Sequence, residues 1–83
     1  MKINGVVSGG NQRTGRWAIR TENGFAVVDL MQGELHFRDA VTGDLDSYGP
    51  VVLINRTTEE PVEVCVEAIH ASLDAARALI QSR

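Results

Sequence analysis

Three features of the sequence predict a small, mainly β domain: an antiparallel barrel of five or six strands with a C-terminal α-helix. Gly, Asn, Asp and Pro cut the 83 residues into pieces of strand length. Asn23-Gly24 sits between two such pieces, and Asn-Gly in that place is the strongest two-residue hairpin signal, because both central residues favour positive φ. Only the tail changes to helical spacing.

Lys2 to Val7 is rich in β-branched residues and stops at Ser8-Gly9-Gly10-Asn11, and Asn11 to Gly15 reads as a loop. Arg16 to Thr21 and Phe25 to Leu30 are the next two strands. An Asn23-Gly24 turn sets Glu22 opposite Phe25, Thr21 opposite Ala26 and Trp17 opposite Leu30. Alternation then sorts the side chains. Trp17, Ile19, Thr21, Ala26, Val28 and Leu30 share the core face. Arg16, Ala18, Arg20, Glu22, Phe25, Val27 and Asp29 share a wet face. A one-residue slip would bury two arginines, which fixes this sorting.

Glu34 to Arg38 reads as a strand with Leu35 and Phe37 inward, and 42–50 as turns. Val51 to Ile54 has no polar face and is expected to be covered on both sides. Val62 to Ala68 alternates, with Val62, Val64, Val66 and Ala68 inward and Glu63, Cys65 and Glu67 outward. The helix is expected over about 72–82. Ser72 can cap it, Asp74 suits its first turn and Arg83 its last. Leu73, Ala76, Leu79 and Ile80 form its apolar stripe. A helix this short needs a surface to dock on. The barrel mouth is the expected site, followed by a partner chain.

Composition is that of an ordinary globular chain, 43% hydrophobic and 23% charged, in one domain spanning residues 1–83. The net charge of −3 is uneven: the first twenty residues hold four basic and no acidic residues, and the remainder four basic and eleven acidic. A general attraction for nucleic acid is therefore excluded, while a local basic edge is not. The longest aliphatic run, Val51 to Ile54, is far too short to span a membrane. No secretory signal is visible and there is one cysteine, so a cytoplasmic location is expected.

Ile3-Asn4-Gly5-Val6-Val7, Gly15, Ala26-Val27-Val28-Asp29-Leu30 and Val41-Thr42-Gly43-Asp44 resemble the opening strands of small OB-like or S1-like barrels. Leu53-Ile54-Asn55-Arg56-Thr57 and Val62 to Ala68 are similar to the closing strands of a group of small uncharacterised bacterial proteins. The resemblance implies an OB-like or SH3-like barrel. It departs from the OB pattern between Met31 and Pro50, where no helical period occurs. The layout of barrel plus terminal helix also resembles the small hydrogenase-maturation chaperones. Their function depends on a cysteine after the initiator Met, where this chain has Lys2, so it does not carry over.

Arg13, Arg16 and Arg20, with Phe25 as the exposed aromatic, are the candidates for contact with single-stranded RNA or DNA, since such sites combine cations with rings that stack on bases. Cross-strand ion pairs with Asp29 account for the same charges more simply. Asp44 and Asp46 read as turn chemistry, because a calcium loop needs more oxygens at set positions. His36, Cys65 and His70 match no zinc spacing, so no metal is expected. Cys65 lies between Glu63 and Glu67, whose charges oppose thiolate formation. No nucleophile elbow or phosphate-binding loop is present. Asn55-Arg56-Thr57 matches a glycosylation sequon, which has no meaning without export.

These readings lead to a non-catalytic adaptor or assembly domain that needs no cofactor and forms a homodimer, with a protein partner of unknown identity and no membrane contact. Phe25, Val27, Leu79 and Ile80 are the expected interface. A single-stranded nucleic-acid binding module is the alternative.

Overall fold

Two antiparallel meanders build the barrel. The computed structural model describes residues 2–81. β1 (Ile3–Asn11), β2 (Arg16–Thr21) and β3 (Gly24–Gln32) form the first meander; β4 (Ala40–Gly43), β5 (Gly49–Asn55) and β6 (Glu60–Ala71) form the second. β1 pairs with β4 and β3 with β6, closing a six-stranded barrel in the order β1-β2-β3-β6-β5-β4. The closure is thinnest between β4 and β5, where only Val41–Asn55 and Thr42–Ile54 pair, so Gly49–Leu53 are laddered to β6 alone.

In this ring β3 and β4 lie on opposite sides, so residues 33–39 must cross one end of the barrel. This crossing replaces the strand expected over Glu34 to Arg38. Leu35 is buried and plugs the end, but Phe37 is 60% exposed rather than inward. Leu45, in the β4–β5 connection, is buried at the other end. Between the plugs, Val7, Ile19, Val28, Val41, Leu53, Val62 and Val64 fill the interior. β4 overlaps the start of the stretch that reads as turns, because four residues between Asp39 and Asp44 carry little pattern of their own.

A polar knot fixes the crossing. The Asp39 carboxylate is 6% exposed and accepts Asn55 Nδ2–H at 2.7 Å and the His36 N–H at 2.9 Å. Asn55, fully buried, accepts the Thr57 and Thr58 N–H groups through Oδ1. Thr57 Oγ1 in turn accepts the Ala40 N–H at 2.9 Å. The Asn55-Arg56-Thr57 sequence thus ties β4 and β5 to the loop between them and β6.

The hairpin register differs by two residues from the expected one. Thr21 pairs with Gly24, Arg20 with Phe25 and Trp17 with Val28. Gly24 has φ 109°, whereas Asn23 does not enter the positive region, so the turn is not type I′. The Thr21 hydroxyl explains the shift: it accepts the Asn23 N–H at 3.1 Å and donates to the Gly24 carbonyl at 2.7 Å, closing the turn one residue early. A two-residue shift leaves every side chain on its face. Trp17, Ile19, Ala26 and Val28 are accordingly buried in the barrel. A Cβ on Gly24 would lie 3.0 Å from the Ala71 carbonyl oxygen and 3.2 Å from the His70 carbonyl carbon. Gly24→Val is therefore expected to cost about 1–3 kcal/mol, read from the urea midpoint.

The other hairpin face is not wet. α1 (Leu73–Gln81) packs on it, burying Ala18, Val27 and Ala76 against Phe25, Ala68, Ala71, Leu79 and Ile80. The helix covers the outer wall of β2 and β3 rather than the barrel mouth. Wall positions here are small or apolar, so the surface that a short helix needs is supplied within the chain. Ala68 reaches the outer side because Val66 pairs with Val28 but Ala68 pairs with Val27, leaving Glu67 as a bulge that reverses the alternation. Ser72 caps the helix as expected, accepting the Ala75 N–H at 3.1 Å. Leu73 departs from the stripe and is exposed. Ser82 and Arg83, part of the expected helix end, lie outside the described residues.

Candidate protein-contact surface

β5 lies on the wall of a one-layer barrel, so one of its faces must meet solvent unless something else covers it. The inward residues Leu53 and Asn55 are buried. The outward residues carry no charge: Pro50 is exposed, Val52 is 57% exposed and Ile54 is 44% exposed. Tyr48, just before the strand, is 67% exposed. Ile54 pairs with Pro61 of β6, also exposed, which widens the stripe. This corrects the expectation that Val51 to Ile54 is covered on both sides. Scattered exposed apolar residues are ordinary; here they stand in a row on one strand, which makes this face the candidate contact surface.

Acidic residues border this stripe on one side. On the β6 side Glu60, Glu63 and Glu67 are exposed. Away from the stripe, a groove of about 360 Å³ runs from Arg56 across Ala40, Val41 and Val6 to Arg20 on β2, the strand opposite β5 in the ring. The ladders explain the meeting of two residues so far apart in sequence. Arg20 pairs with Val6, Val6 with Ala40, and the Arg56 N–H donates to the Ala40 carbonyl at 2.7 Å. Glu22 also lines the groove.

The basic candidates do not form one surface. Arg16 pairs with Asp29 directly across the hairpin, with Nε donating to Oδ1 at 2.8 Å and Nη2 to Oδ2 at 3.4 Å. Its Nη1 donates to the Leu79 carbonyl at 3.2 Å, so a strand residue supplies the cation that α1 lacks in its last turn. Arg13 lies in the β1–β2 loop, where its N–H donates to Asn11 Oδ1. Arg20 is separated from Arg16 by Ala18, which the helix covers. Phe25 packs under the same helix.

The Arg16 hydrogen bond holds the Asp29 carboxyl below its ordinary range; burial opposes this, and Glu67 adds to the lowering. A depressed carboxylate contributes stability above the unfolded value of about 3.9 and loses it as pH falls through the folded value. Arg16→Gln is therefore expected to lower stability at neutral pH by about 1 kcal/mol, the pair being partly exposed, with the difference from the parent closing below about pH 4. Urea titrations across pH test this.

The residues expected to form an interface meet one another instead. Val27 is fully buried, and Phe25, Leu79 and Ile80 pack beside it within the chain. Cys65 pairs with Pro50 and Asp29 in the ladder. Burial first, then the charges of Glu67 and Asp29, push its thiol up, away from a reactive thiolate. No group of three or more metal-binding side chains occurs among the described residues, and no described helix is long and apolar enough to cross a membrane.

Comparison with family models, curated proteins and solved structures gave no match. The β5 stripe carried a signal in the sequence: Tyr48, Pro50, Val52 and Ile54 alternate at period two.

Proposed function

We propose that this chain is a small non-catalytic assembly domain that acts through protein–protein contacts on the outer face of β5. The observation that carries the reading is the uncharged row of Pro50, Val52 and Ile54, with Tyr48 just before them, on a strand laddered to β6 along its whole length. The barrel interior is filled by side chains and leaves chemistry no enclosed chamber there.

Single-stranded nucleic acid is the competing reading, and the placement of the arginines weighs against it. Arg16 is held by Asp29 and the helix end, which breaks the expected basic edge in its middle. Arg20 and Arg56 share a groove with Glu22, which offsets part of their charge.

Salt separates the two. Three phosphate contacts to a single strand would weaken binding roughly eighteen-fold between 50 and 200 mM salt. The test is anisotropy of a labelled oligonucleotide over a salt series, beside a Val52→Lys/Ile54→Lys variant assayed for loss of protein contacts. The assembly reading expects no oligonucleotide binding at low salt and a folded variant that loses its contacts. Steeply salt-dependent oligonucleotide binding, unaltered in that variant, would overturn it.

A further inference from the structure

We propose that β5 receives its partner as an added strand: an extended segment of another protein, apolar with basic flanks, pairs with the β4-facing side of Gly49–Leu53. This rests on the reading of β5 as a protein-contact surface and names the form of the partner.

Backbone polar groups along an antiparallel strand face its two neighbours alternately. The Arg56 N–H donates to the Ala40 carbonyl at 2.7 Å, so residue 56 faces β4. By alternation Ile54 and Val52 face the same way, whereas Val51 and Leu53 face β6. Ile54 pairs with Thr42, but β4 ends at Gly43, and nothing among the described residues pairs with Val52 from that side. The chain turns away at this point. The Leu45 N–H donates to the Gly43 carbonyl at 2.9 Å and Leu45 is buried, so the line of β4 is not continued. Among the described residues, no backbone group of 44–48 bonds to β5. The Val52 N–H, the Val52 carbonyl and the Pro50 carbonyl therefore lie on an open edge about 16 Å long at the usual strand rise. Pro50 has no N–H that would need an acceptor there. An edge of this kind is a template for a further strand.

The exposed side chains belong to the same site. A residue opposite Val52 on an added strand shares its outward face, so Pro50 and Val52 are the cross-strand neighbours of the incoming side chains.

The length of the edge decides between occupants. A second copy offering its own β5 about a two-fold axis would set Val52 against Val52. The β4 of each copy, paired at Ile54, would then fall on Pro50 of the other. The edge takes instead a segment with no neighbouring strand on its pairing side, such as a chain terminus or a loop. The exposed charges beside it are acidic: Glu63 is level with Val52, and Asp44 lies just past the end of β4. Basic residues flanking an apolar run complement them.

A phage-displayed library of random linear peptides, panned on the full chain, supplies the probe. The enriched peptides are expected to share an apolar run with lysine or arginine beside it. At saturation such a peptide should slow hydrogen exchange of the Val52 amide at least about tenfold, since that N–H gains an acceptor. Val52→Pro removes the donor and leaves the β6 ladder intact, as circular dichroism checks. It should bind the peptide about tenfold more weakly. Exchange is read on the parent, so it decides the matter even if the variant does not fold.

Unchanged Val52 exchange on peptide binding would overturn the added strand. If that binding is lost in Val52→Lys/Ile54→Lys, the contact lies on the outward face and the assembly reading stands. No enriched peptide, or binding indifferent to both variants, would overturn both. Val52 protection that rises with the chain's own concentration, without peptide, would overturn the choice of occupant in favour of a second copy.

Discussion

Trp17→Ala is expected to cost about 3–5 kcal/mol, a large share of the roughly 4–12 kcal/mol that a domain of this length holds. Trp17 is 6% exposed and belongs to the barrel core. Its six-membered ring lies against the Gly10 backbone, so that a Cβ on Gly10 would overlap Trp17 Cε3 and Cδ2. The truncation leaves a cavity that the ring of paired strands cannot collapse to fill. Gly10→Val in the parent should also destabilise, by forcing the indole aside. Combined with Trp17→Ala it should cost less than the two changes added, since the valine enters vacated space. Trp17 Nε1 is buried without a hydrogen-bond partner. The emission of this single tryptophan should accordingly be blue-shifted and poorly quenched by iodide. Emission of a water-exposed indole would place the residue outside the barrel and remove the core assignment.

Asn55→Ala should cost about 2–4 kcal/mol, although it removes a polar side chain. Asn55 is fully buried; its loss takes one donor from the buried Asp39 carboxylate and leaves two turn N–H groups without their acceptor. Asp39→Ala should be of similar size, because it strands Asn55 Nδ2 and frees the His36 N–H. Since both act on one knot, the double variant should cost well below the sum. Additive losses in urea would show that the two residues act separately.

The parts of the fold legible in the sequence are those that depend on alternation. Trp17, Ile19, Ala26 and Val28 reach the core although the register differs by two residues, because face depends on parity and parity survives that shift. The turn itself is not legible, because Asn-Gly outranks a threonine hydroxyl in propensity, and the hydroxyl decides here. Phe37 and Ala68 depart from the alternation for a topological reason: the crossing of the barrel end and the bulge at Glu67 both reset it, and neither has a local signature. The helix was legible by its stripe and by Ser72, but its seat was not. Charges on β2 and β3 made that wall look wet, whereas Arg16 and Asp29 neutralise each other at its margin and tie down the helix end. The surface first expected to bind a partner thus became internal, and β5, expected to be internal, became the open face.

The most direct measurement is a series of backbone amide chemical shifts as a selected peptide is added, which reports the contact residue by residue. If β5 is the assembly face, amides of the non-proline residues of 48–54 and 60–63 move with added peptide while those of Ala18, Phe25, Val27 and α1 stay fixed. Shifts concentrated on Phe25, Val27 and α1, with 48–54 unmoved, would contradict it.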